Sequence, residues 1–272
     1  MGIIVGLDVG GSTTKVVGMD GEKIIGNKIV KADDPVTSAF GALGKFMDSY
    51  DLKISDIEQL KITGVGASFP NGNLLGIPTV RISEFFATGQ GGLFLSGLEH
   101  AIVVSMGTGT AFVEATKQEV RHIIGSGVGG GALVGLANCA LNVRDFDMIA
   151  DLAEDGNLNH VDLTIGDISH SAIPGLTMDT TASNFGKMQD DATKSDIAYG
   201  LFNMVFQSIG TMAVLAARNA GLKDVVFTGQ ATKAPMCATI YKKFSELYNI
   251  NFVVPQMSEF ATAIGAAIAT NA

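Results

Sequence analysis

The sequence predicts an α/β fold made of two related lobes with a cleft between them. Its 272 residues are long for one simple domain and suit two. Strand-like apolar runs alternate with helical stripes, and a hairpin-rich opening followed by helices occurs twice along the chain. We therefore place the two lobes at residues 1–98 and 99–272.

The first lobe opens with apolar runs typical of strands, followed by residues at helical spacing. Asp20-Gly21, flanked by apolar residues, predicts a type I′ turn joining the second strand to the third. The predicted elements are strands over 3–7, 14–19, 23–31 and 60–64, and a helix over 36–50.

The second lobe repeats this order with more helix, and the chain turns on glycine after each of its first three strands. The predicted strands cover 101–105, 111–115, 119–124, 225–228 and 251–254, and the predicted helices cover 133–141, 145–153, 194–220, 235–247 and 261–269.

The composition excludes several classes of protein. Hydrophobic residues make up 47% of the chain and charged residues 17%, so the chain can bury a sizeable core. The net charge is −9, and the scattered Lys and Arg residues lack the basic footprint of a nucleic-acid binder. We therefore expect no DNA or RNA partner.

Cysteine usage and the N-terminus indicate a cytoplasmic protein. Cys139 and Cys237 are isolated, so they form neither a C-x-x-C pair nor a disulfide framework. A predicted strand follows Met1 directly, without the basic and apolar regions of a signal peptide. Apolar stretches are interrupted well before about 18 residues, the length needed for a membrane span, so we expect no membrane association.

The turn after the first strand has the composition of a phosphate site. Backbone N–H groups at glycine can point at a phosphate without a Cβ in the way, and hydroxyls and a lysine add donors. Asp8 is placed to hold Mg²⁺ through water, because magnesium keeps several waters. The alternative is a structural glycine turn capped by Asp8. The predicted nucleotide-binding residues here are Asp8, Gly10, Gly11, Ser12, Thr13 and Lys15.

Further glycine turns follow the same plan at 105–110 and 226–231. A G-x-x-x-x-G-K-[ST] sequence is absent, which argues against a P-loop protein. A dinucleotide site stays open as an alternative, because residues 125–130 match G-x-G-x-x-G and Asp145 or Asp147 follows. The simpler interpretation is that Gly129-Gly130-Gly131 opens a helix whose N-terminus faces nucleotide.

Six segments carry a family resemblance through their order and approximate spacing: 8–16, 82–85 (ISEF), 107–110 (GTGT), 125–131, 173–175 (IPG) and 181–186 (TASNFG). They resemble the actin-like (ribonuclease H-like) ATPase superfamily and, within it, the type II pantothenate kinases. The resemblance covers nearly the whole chain. It implies two duplicated lobes around a nucleotide cleft, ATP and Mg²⁺ as cofactors, phosphorylation of pantothenate as the first step of coenzyme A biosynthesis, and a homodimer.

By this resemblance Glu84 contacts pantothenate and is the general base that takes the hydroxyl proton as the oxygen attacks the γ-phosphate. A positioned carboxylate can accept such a proton while metal and backbone donors stabilise the transferring phosphoryl group. Without the resemblance, a glutamate after Ser83 is an ordinary first-turn helix residue favoured by the helix dipole.

The family also has an arginine shortly before the triple glycine, and this chain departs from that pattern. Counting back from Gly129 reaches His122, with Arg121 one residue earlier. Either residue is a candidate for the catalytic cation, although histidine supplies a less constant charge than arginine near neutral pH. Without the resemblance both are a solvated pair on a strand.

The remaining contacts are also implied by the resemblance. Thr181 and Ser183 match positions that line the pantothenate pocket, and Phe146 and Gln230 lie near adenine, although Phe146 would also suit core packing. An aromatic residue that some relatives place near the C-terminus has no counterpart, because 252–255 lacks tyrosine. The other nucleotide-side matches are Thr108, Gly130, Gly131, Ala132, Leu133 and Val134.

Two other functions stay open. One is an actin-fold kinase for another small hydroxyl substrate such as a sugar, although the zinc-binding signature of sugar kinases is missing. The other is a non-catalytic ATP-dependent activator or regulator. Activators of radical dehydratases share this fold but carry cluster-binding cysteines, which the isolated Cys139 and Cys237 do not match.

Overall fold

The structure is a computed structural model that describes residues 2–31, 34–68, 72–171 and 173–270. Its first lobe contains β1 (Ile3–Val9), β2 (Thr13–Asp20), β3 (Lys23–Lys31), α1 (Pro35–Ser49), β4 (Ile57–Thr63), β5 (Thr79–Arg81) and α2 (Glu84–Ser96). Strands β1 to β3 pair antiparallel, whereas β4 and β5 join parallel to β1. The resulting sheet has the order β3-β2-β1-β4-β5.

The second lobe contains β6 (His100–Met106), β7 (Thr110–Thr116), β8 (Val120–Ser126), α3 (Gly130–Leu141), α4 (Phe146–Glu154), β9 (Leu163–Thr164), α5 (Ile165–Ile168), β10 (Thr181–Ser183), α6 (Lys194–Ala220), β11 (Asp224–Thr228), α7 (Met236–Tyr248), β12 (Asn251–Val253) and α8 (Ala261–Ile268). Its sheet has the order β12-β11-β6-β7-β8, again with an antiparallel hairpin unit followed by two parallel strands. Read in reverse, this is the order of the first sheet, so the predicted duplication is confirmed.

The same topology shows that the dinucleotide alternative was wrong. A Rossmann fingerprint lies between a strand and the helix that leads to a parallel neighbour. Here β8, which contains Gly125, pairs antiparallel with β7 and lies at the edge of the sheet. The glycines that follow therefore connect a hairpin to α3, as the simpler interpretation predicted.

The turn between β2 and β3 also differs from its prediction. Asp20 pairs with Lys23, so the two loop residues are Gly21 and Glu22. Gly21 has a φ of 59°, and Glu22 is absent from the residues with positive φ. Type I′ turns need positive φ at both loop residues, whereas type II′ turns need it at the first. The predicted type I′ turn at Asp20-Gly21 was therefore wrong, and glycine occupies the first loop position.

Helices α2 and α8 cross each other between the two sheets. Helix α8 packs against β1, β2 and β4 of the first lobe, although it follows the last strand of the second. Helix α2 packs against β6, β7 and β8 of the second lobe. Each lobe thus covers one face of its sheet with a helix that the other half of the chain supplies.

Small residues permit this crossing. A Cβ at Gly91 would clash with the carbonyl oxygen of Ala261, and a Cβ at Gly265 would clash with that of Ala87. The two contacts are related by the internal symmetry, because each helix carries alanine and glycine four residues apart. Ile264 on α8 packs with Val17 of β2 in the same buried cluster.

Helix α6 forms the centre of the larger core. It is long and apolar enough to span a bilayer, with a mean hydropathy of 1.4 over 18 residues, but 67% of that window is buried inside the molecule. The start of α6 is capped by Thr193 and Asp196, and its end by Gly221 in the left-handed conformation. The helix packs against α3, α4, α7 and the second sheet.

Candidate active site

Asp8 and Lys15 meet at the turn between β1 and β2. They are paired across the two antiparallel strands, and Lys15 Nζ lies 3.6 Å from Asp8 Oδ2. Burial raises the pKa of Asp8, and the ammonium of Lys15 opposes this rise. Gly64 follows β4 with a φ of 94°, and a Cβ there would lie 2.7 Å from Asp8 Oδ1. The glycine therefore gives the carboxylate the space to lie at this edge of the sheet.

Glu84 begins α2 and interacts electrostatically with Asp8 and Lys15. Burial among the cleft atoms raises the pKa of its carboxyl, the Asp8 carboxylate adds to the rise, and Lys15 opposes it. The residue as a whole remains exposed to solvent. A carboxylate with a raised pKa, open to a ligand, has the properties of a general base.

Two contacts join the lobes beside this group. Ser12 Oγ and Thr108 Oγ1 are 3.1 Å apart, so the β1–β2 turn meets the β6–β7 turn directly. Farther out, Lys31 Nζ lies 3.7 Å from Asp145 Oδ2 at the start of α4. The two hairpin turns, which carry Gly10, Gly11 and Thr108, therefore line the same cleft.

The start of α3 is fixed to the β6–β7 turn. Gly130 N–H donates to Gly107 O at 2.8 Å, and Gly131 N–H donates to Thr108 O at 2.9 Å. Both N–H groups are therefore already hydrogen-bonded. Among the hydrogen bonds of the described chain, Ala132 N–H has no acceptor, so it is a donor at this helix start that stays available.

Of the other predicted nucleotide residues, three pack in or against the core, and the fourth, Gln230, follows a strand of the second sheet. The Leu133 side chain is 0% exposed and belongs to the core, so it cannot contact a ligand. Val134 and Phe146 are partly buried against that core, and the Phe146 ring packs edge-on against Phe202 at 5.7 Å. Gln230, two residues after β11, has a buried Oε1 with no hydrogen-bond partner among the described residues. Its assignment to the adenine side therefore stays a prediction.

The structure separates the two candidates for the catalytic cation. Arg121 pairs with Glu114 across β7 and β8, and its guanidinium forms an ion pair with that carboxylate. His122 pairs with Val113, which faces α2, and the His122 ring stacks on Phe85 with centroids 4.2 Å apart. His122 thus lies next to the first turn of α2, which carries Glu84, whereas Arg121 lies on the opposite face.

Thr181 and Ser183 form β10, which pairs with β9. The Thr181 hydroxyl accepts a hydrogen bond from Gln207 Nε2 at 2.9 Å, and Ser183 is exposed. Among the described residues no hydrogen bond or ion pair joins this hairpin to Glu84. Its assignment to the substrate pocket therefore stays a prediction.

The residues around Asp8 fit a hydrated Mg²⁺. Magnesium takes few carboxylates and retains waters, so one buried carboxylate suffices on the protein side. Thr63 pairs with Asp8 in parallel register, and its hydroxyl is fully buried with no hydrogen-bond partner in the described residues. That orphaned hydroxyl suits a metal-bound water. No group of three or more His, Cys, Asp or Glu side chains in the described chain forms a separate metal site.

The motifs did not reveal Thr63 or Phe85 as site residues. Phe85 belongs to the ISEF segment, but only the sheet register shows that it meets His122. For Thr63, the signal in the sequence was its position just before Gly64, at the end of a predicted strand. The neighbouring strand β1 contains Asp8 near its own end. Polar residues at the ends of adjacent parallel strands share one edge of a sheet.

Two duplicated sheets with facing glycine turns define the actin-like fold, and solved structures confirm it. The activator of the 2-hydroxyisocaproyl-CoA dehydratase from Clostridium difficile with bound ADPNP matches with a TM-score of 0.69 and 17% identity, covering 98% of this chain and 93% of that one. A ROK family glucokinase from Streptomyces griseus, in complex with glucose and AMPPNP, has a TM-score of 0.66 and 14% identity, covering 98% of this chain and 98% of that one.

The family follows from the sequence comparison. A family model described as Fumble matches residues 100–267, which is more than half of the chain. The chain belongs to the Fumble family. A curated relative, the type II pantothenate kinase of Staphylococcus aureus strain USA300, is 29% identical over 237 residues, or 84% of this chain and 84% of that protein. The family resemblance predicted from the motifs is confirmed.

Proposed function

We propose that this protein transfers the γ-phosphoryl group of ATP to pantothenate, the first step of coenzyme A biosynthesis. The observation that carries the proposal is the placement of Glu84, with its raised pKa, beside Asp8 and Lys15 at the phosphate turn. The similarity over 84% of the chain to a type II pantothenate kinase supports the choice of acceptor.

Each group has a role in this reaction. The β1–β2 and β6–β7 turns hold the phosphates through Gly11 and Thr108, with the Ala132 N–H as a further donor. The Gly10 N–H donates to Thr13 O and so shapes the first turn. Glu84 accepts the proton from the pantothenate hydroxyl, and its raised pKa strengthens it as a base. Asp8 would hold Mg²⁺, which neutralises charge on the phosphates when bound.

His122, rather than Arg121, takes the position beside the reacting groups. Its ring lies on Phe85, one residue from Glu84, while the Arg121 guanidinium is held by Glu114. Thr181 and Ser183 line the pantothenate pocket, and Phe146 and Gln230 lie near the adenine. The pocket and adenine assignments follow the family resemblance alone.

The setting of the reaction follows from the composition. Cys139 and Cys237 are both free thiols, which suits the reducing cytoplasm. The net charge of −9 disfavours binding to nucleic acid. We place the protein in the cytoplasm as a homodimer, and exposed apolar side chains between Ile168 and Met188 supply a surface for the second copy.

The test is the Glu84→Gln variant, which keeps the shape of the side chain but cannot accept a proton. We expect formation of 4′-phosphopantothenate, followed by mass spectrometry, to fall by at least about a hundredfold. Binding of ATP, followed by calorimetry, should be unchanged. Glu22→Gln in the exposed β2–β3 turn is the matched control and should keep full activity. Near-normal turnover of Glu84→Gln would contradict the proposal.

A further inference from the structure

A buried polar network joins α6 to the β9–β10 hairpin. Asp162 is 1% exposed and Asn203 is 2% exposed, which places both among the most buried polar residues of the described chain. Asn203 and Gln207 are four residues apart on α6, so their side chains lie on the same face of the helix. Neither residue belongs to the nucleotide cleft described above.

The Asp162 carboxylate is surrounded by hydrogen-bond donors. It accepts from the Phe185 N–H at 2.8 Å and from Asn203 Nδ2 at 2.6 Å. A third, longer contact comes from Asn184 Nδ2 at 3.3 Å. The described residues supply it with no Lys, Arg or His partner. Because a carboxylate only accepts, the amide group of Asn203 that faces it must be the NH₂.

This orientation fixes the direction of every bond that follows. With its NH₂ turned to Asp162, Asn203 presents Oδ1 to Gln207, whose Nε2 donates to it at 3.1 Å. The same Nε2 donates to Thr181 Oγ1 at 2.9 Å, and Asn203 Nδ2 makes a weaker contact to it at 3.4 Å. The Thr181 oxygen is thus an acceptor on the protein side.

The Thr181 hydroxyl proton remains unused. A hydroxyl has one proton and two lone pairs, and here the amides occupy the lone pairs. In the described part of the chain Thr181 donates to no acceptor, and the residue is only half-buried. Its proton is therefore available to solvent or to a ligand, and a ligand atom that meets it must be an acceptor such as a carboxylate or carbonyl oxygen.

Asp162 also fixes the backbone of the segment that contains Thr181. Phe185 has a φ of 56°, a left-handed conformation that is unusual for a bulky residue. The hydrogen bond from its N–H to Asp162 and the packing of its ring beside Gly200 of α6 hold it there. The 181–186 segment is therefore fixed to α6 by its side chains and to Asp162 by its backbone.

We propose that Asp162 is a positioning residue that, through Asn203 and Gln207, makes the Thr181 hydroxyl a dedicated donor to a carboxylate or carbonyl oxygen of pantothenate. This inference rests on the proposed function. Pantothenate carries both kinds of acceptor, and neither takes part in phosphoryl transfer. The network therefore contributes to substrate affinity and not to the chemical step.

The first test compares Thr181→Val with Thr181→Ser. Valine keeps the shape but removes the hydroxyl, so the KM for pantothenate should rise about tenfold or more, as expected for the loss of a hydrogen bond to a charged group. The KM for ATP and kcat should not change. Serine keeps the donor and should stay close to wild type. An unchanged KM for pantothenate in Thr181→Val would overturn the inference.

The second test reverses the direction of the network. Gln207→Glu replaces the donating amide by a carboxylate that only accepts, so the Thr181 proton turns to it and away from the ligand. The KM for pantothenate should rise, and adding Thr181→Val should raise it no further. Asp162→Asn should also raise the KM for pantothenate. If Gln207→Glu and Thr181→Val raise the KM for pantothenate additively, the inference is overturned.

These tests separate the inference from the proposed function. If wild-type protein turns over pantothenate but Thr181→Val keeps its KM, only the positioning role is wrong. If wild-type protein shows no pantothenate-dependent turnover, both are wrong. Equal rises in the KM values for ATP and pantothenate with a lowered Tm would show a structural role only, and would also contradict the inference.

Discussion

At the scale of single residues, the electrostatic setting of Glu84 has a consequence for pH dependence. Burial and the Asp8 carboxylate raise the pKa of Glu84 above its ordinary value of 4.5. A general base must be ionised to act, so activity is lost as the pH falls through this raised value. Because burial is the largest cause of the rise, we expect the acid limb of the kcat/KM profile to lie above pH 4.5, measured between about pH 4 and 8.

The profile also has an internal control. Because Lys15 lowers the pKa of Glu84, replacing it by methionine should move the acid limb to higher pH. Lys45→Met, at an exposed position on α1, should leave the limb in place. A limb that stays fixed in Lys15→Met would show that another group controls the rate.

A second prediction at this scale concerns the catalytic cation. His122→Ala should lower kcat by about tenfold or more, because it removes the group next to Glu84 on the α2 side of the sheet. Arg121→Ala removes an ion pair on the opposite face and should leave kcat within about twofold. Steady-state kinetics with pantothenate measure both. A large loss in Arg121→Ala alone would reverse the assignment.

At the scale of secondary-structure elements, the crossing of α2 and α8 depends on Gly91 and Gly265. Gly91→Ala places a methyl group against the Ala261 carbonyl and should destabilise the fold by about 1–3 kcal/mol or more. Gly44→Ala in α1 is the matched control, because a Cβ there meets nothing within 4 Å. It should stabilise the fold by about 0.5–1 kcal/mol. Urea unfolding measures the free energy of unfolding of both variants. Equal changes in the two would contradict the close contact between α2 and α8.

The same glycines explain why α2 was not predicted from the sequence beyond a possible first turn at Glu84. Amphipathic helices show one apolar face, but α2 lies between both sheets and buries Ala87, Gly89 and Gly92 on different sides. A glycine-rich segment without periodicity does not read as a helix. Helix α6, in contrast, was predicted at its observed bounds because Thr193 and Gly221 mark its ends.

Site residues that lie close together in the sequence were predictable. Those whose role depends on contacts between distant segments were less so. The Asp8 and Lys15 pair follows from the strand–turn–strand pattern. The choice between Arg121 and His122 required the register of β8, where an irregularity between Phe112 and Val113 changes the pairing. The Asp162 network had a weaker signal, namely Asn203 and Gln207 at helical spacing in an apolar helix.

At the scale of the whole molecule, the two lobes depend on each other. Helix α8 returns to cover the first sheet, so the lobes predicted at 1–98 and 99–272 exchange an element. The bond between Ser12 and Thr108 brings the two phosphate turns together across the cleft.

The central claim is that the cleft phosphorylates pantothenate, and the most direct test is the release of ADP by purified protein with Mg²⁺ and ATP. We predict that release depends on pantothenate and that one 4′-phosphopantothenate forms for each ADP. Sugars and acetate should not replace pantothenate. Release of ADP that is the same with and without pantothenate would contradict the account and would point to a regulator or to another acceptor.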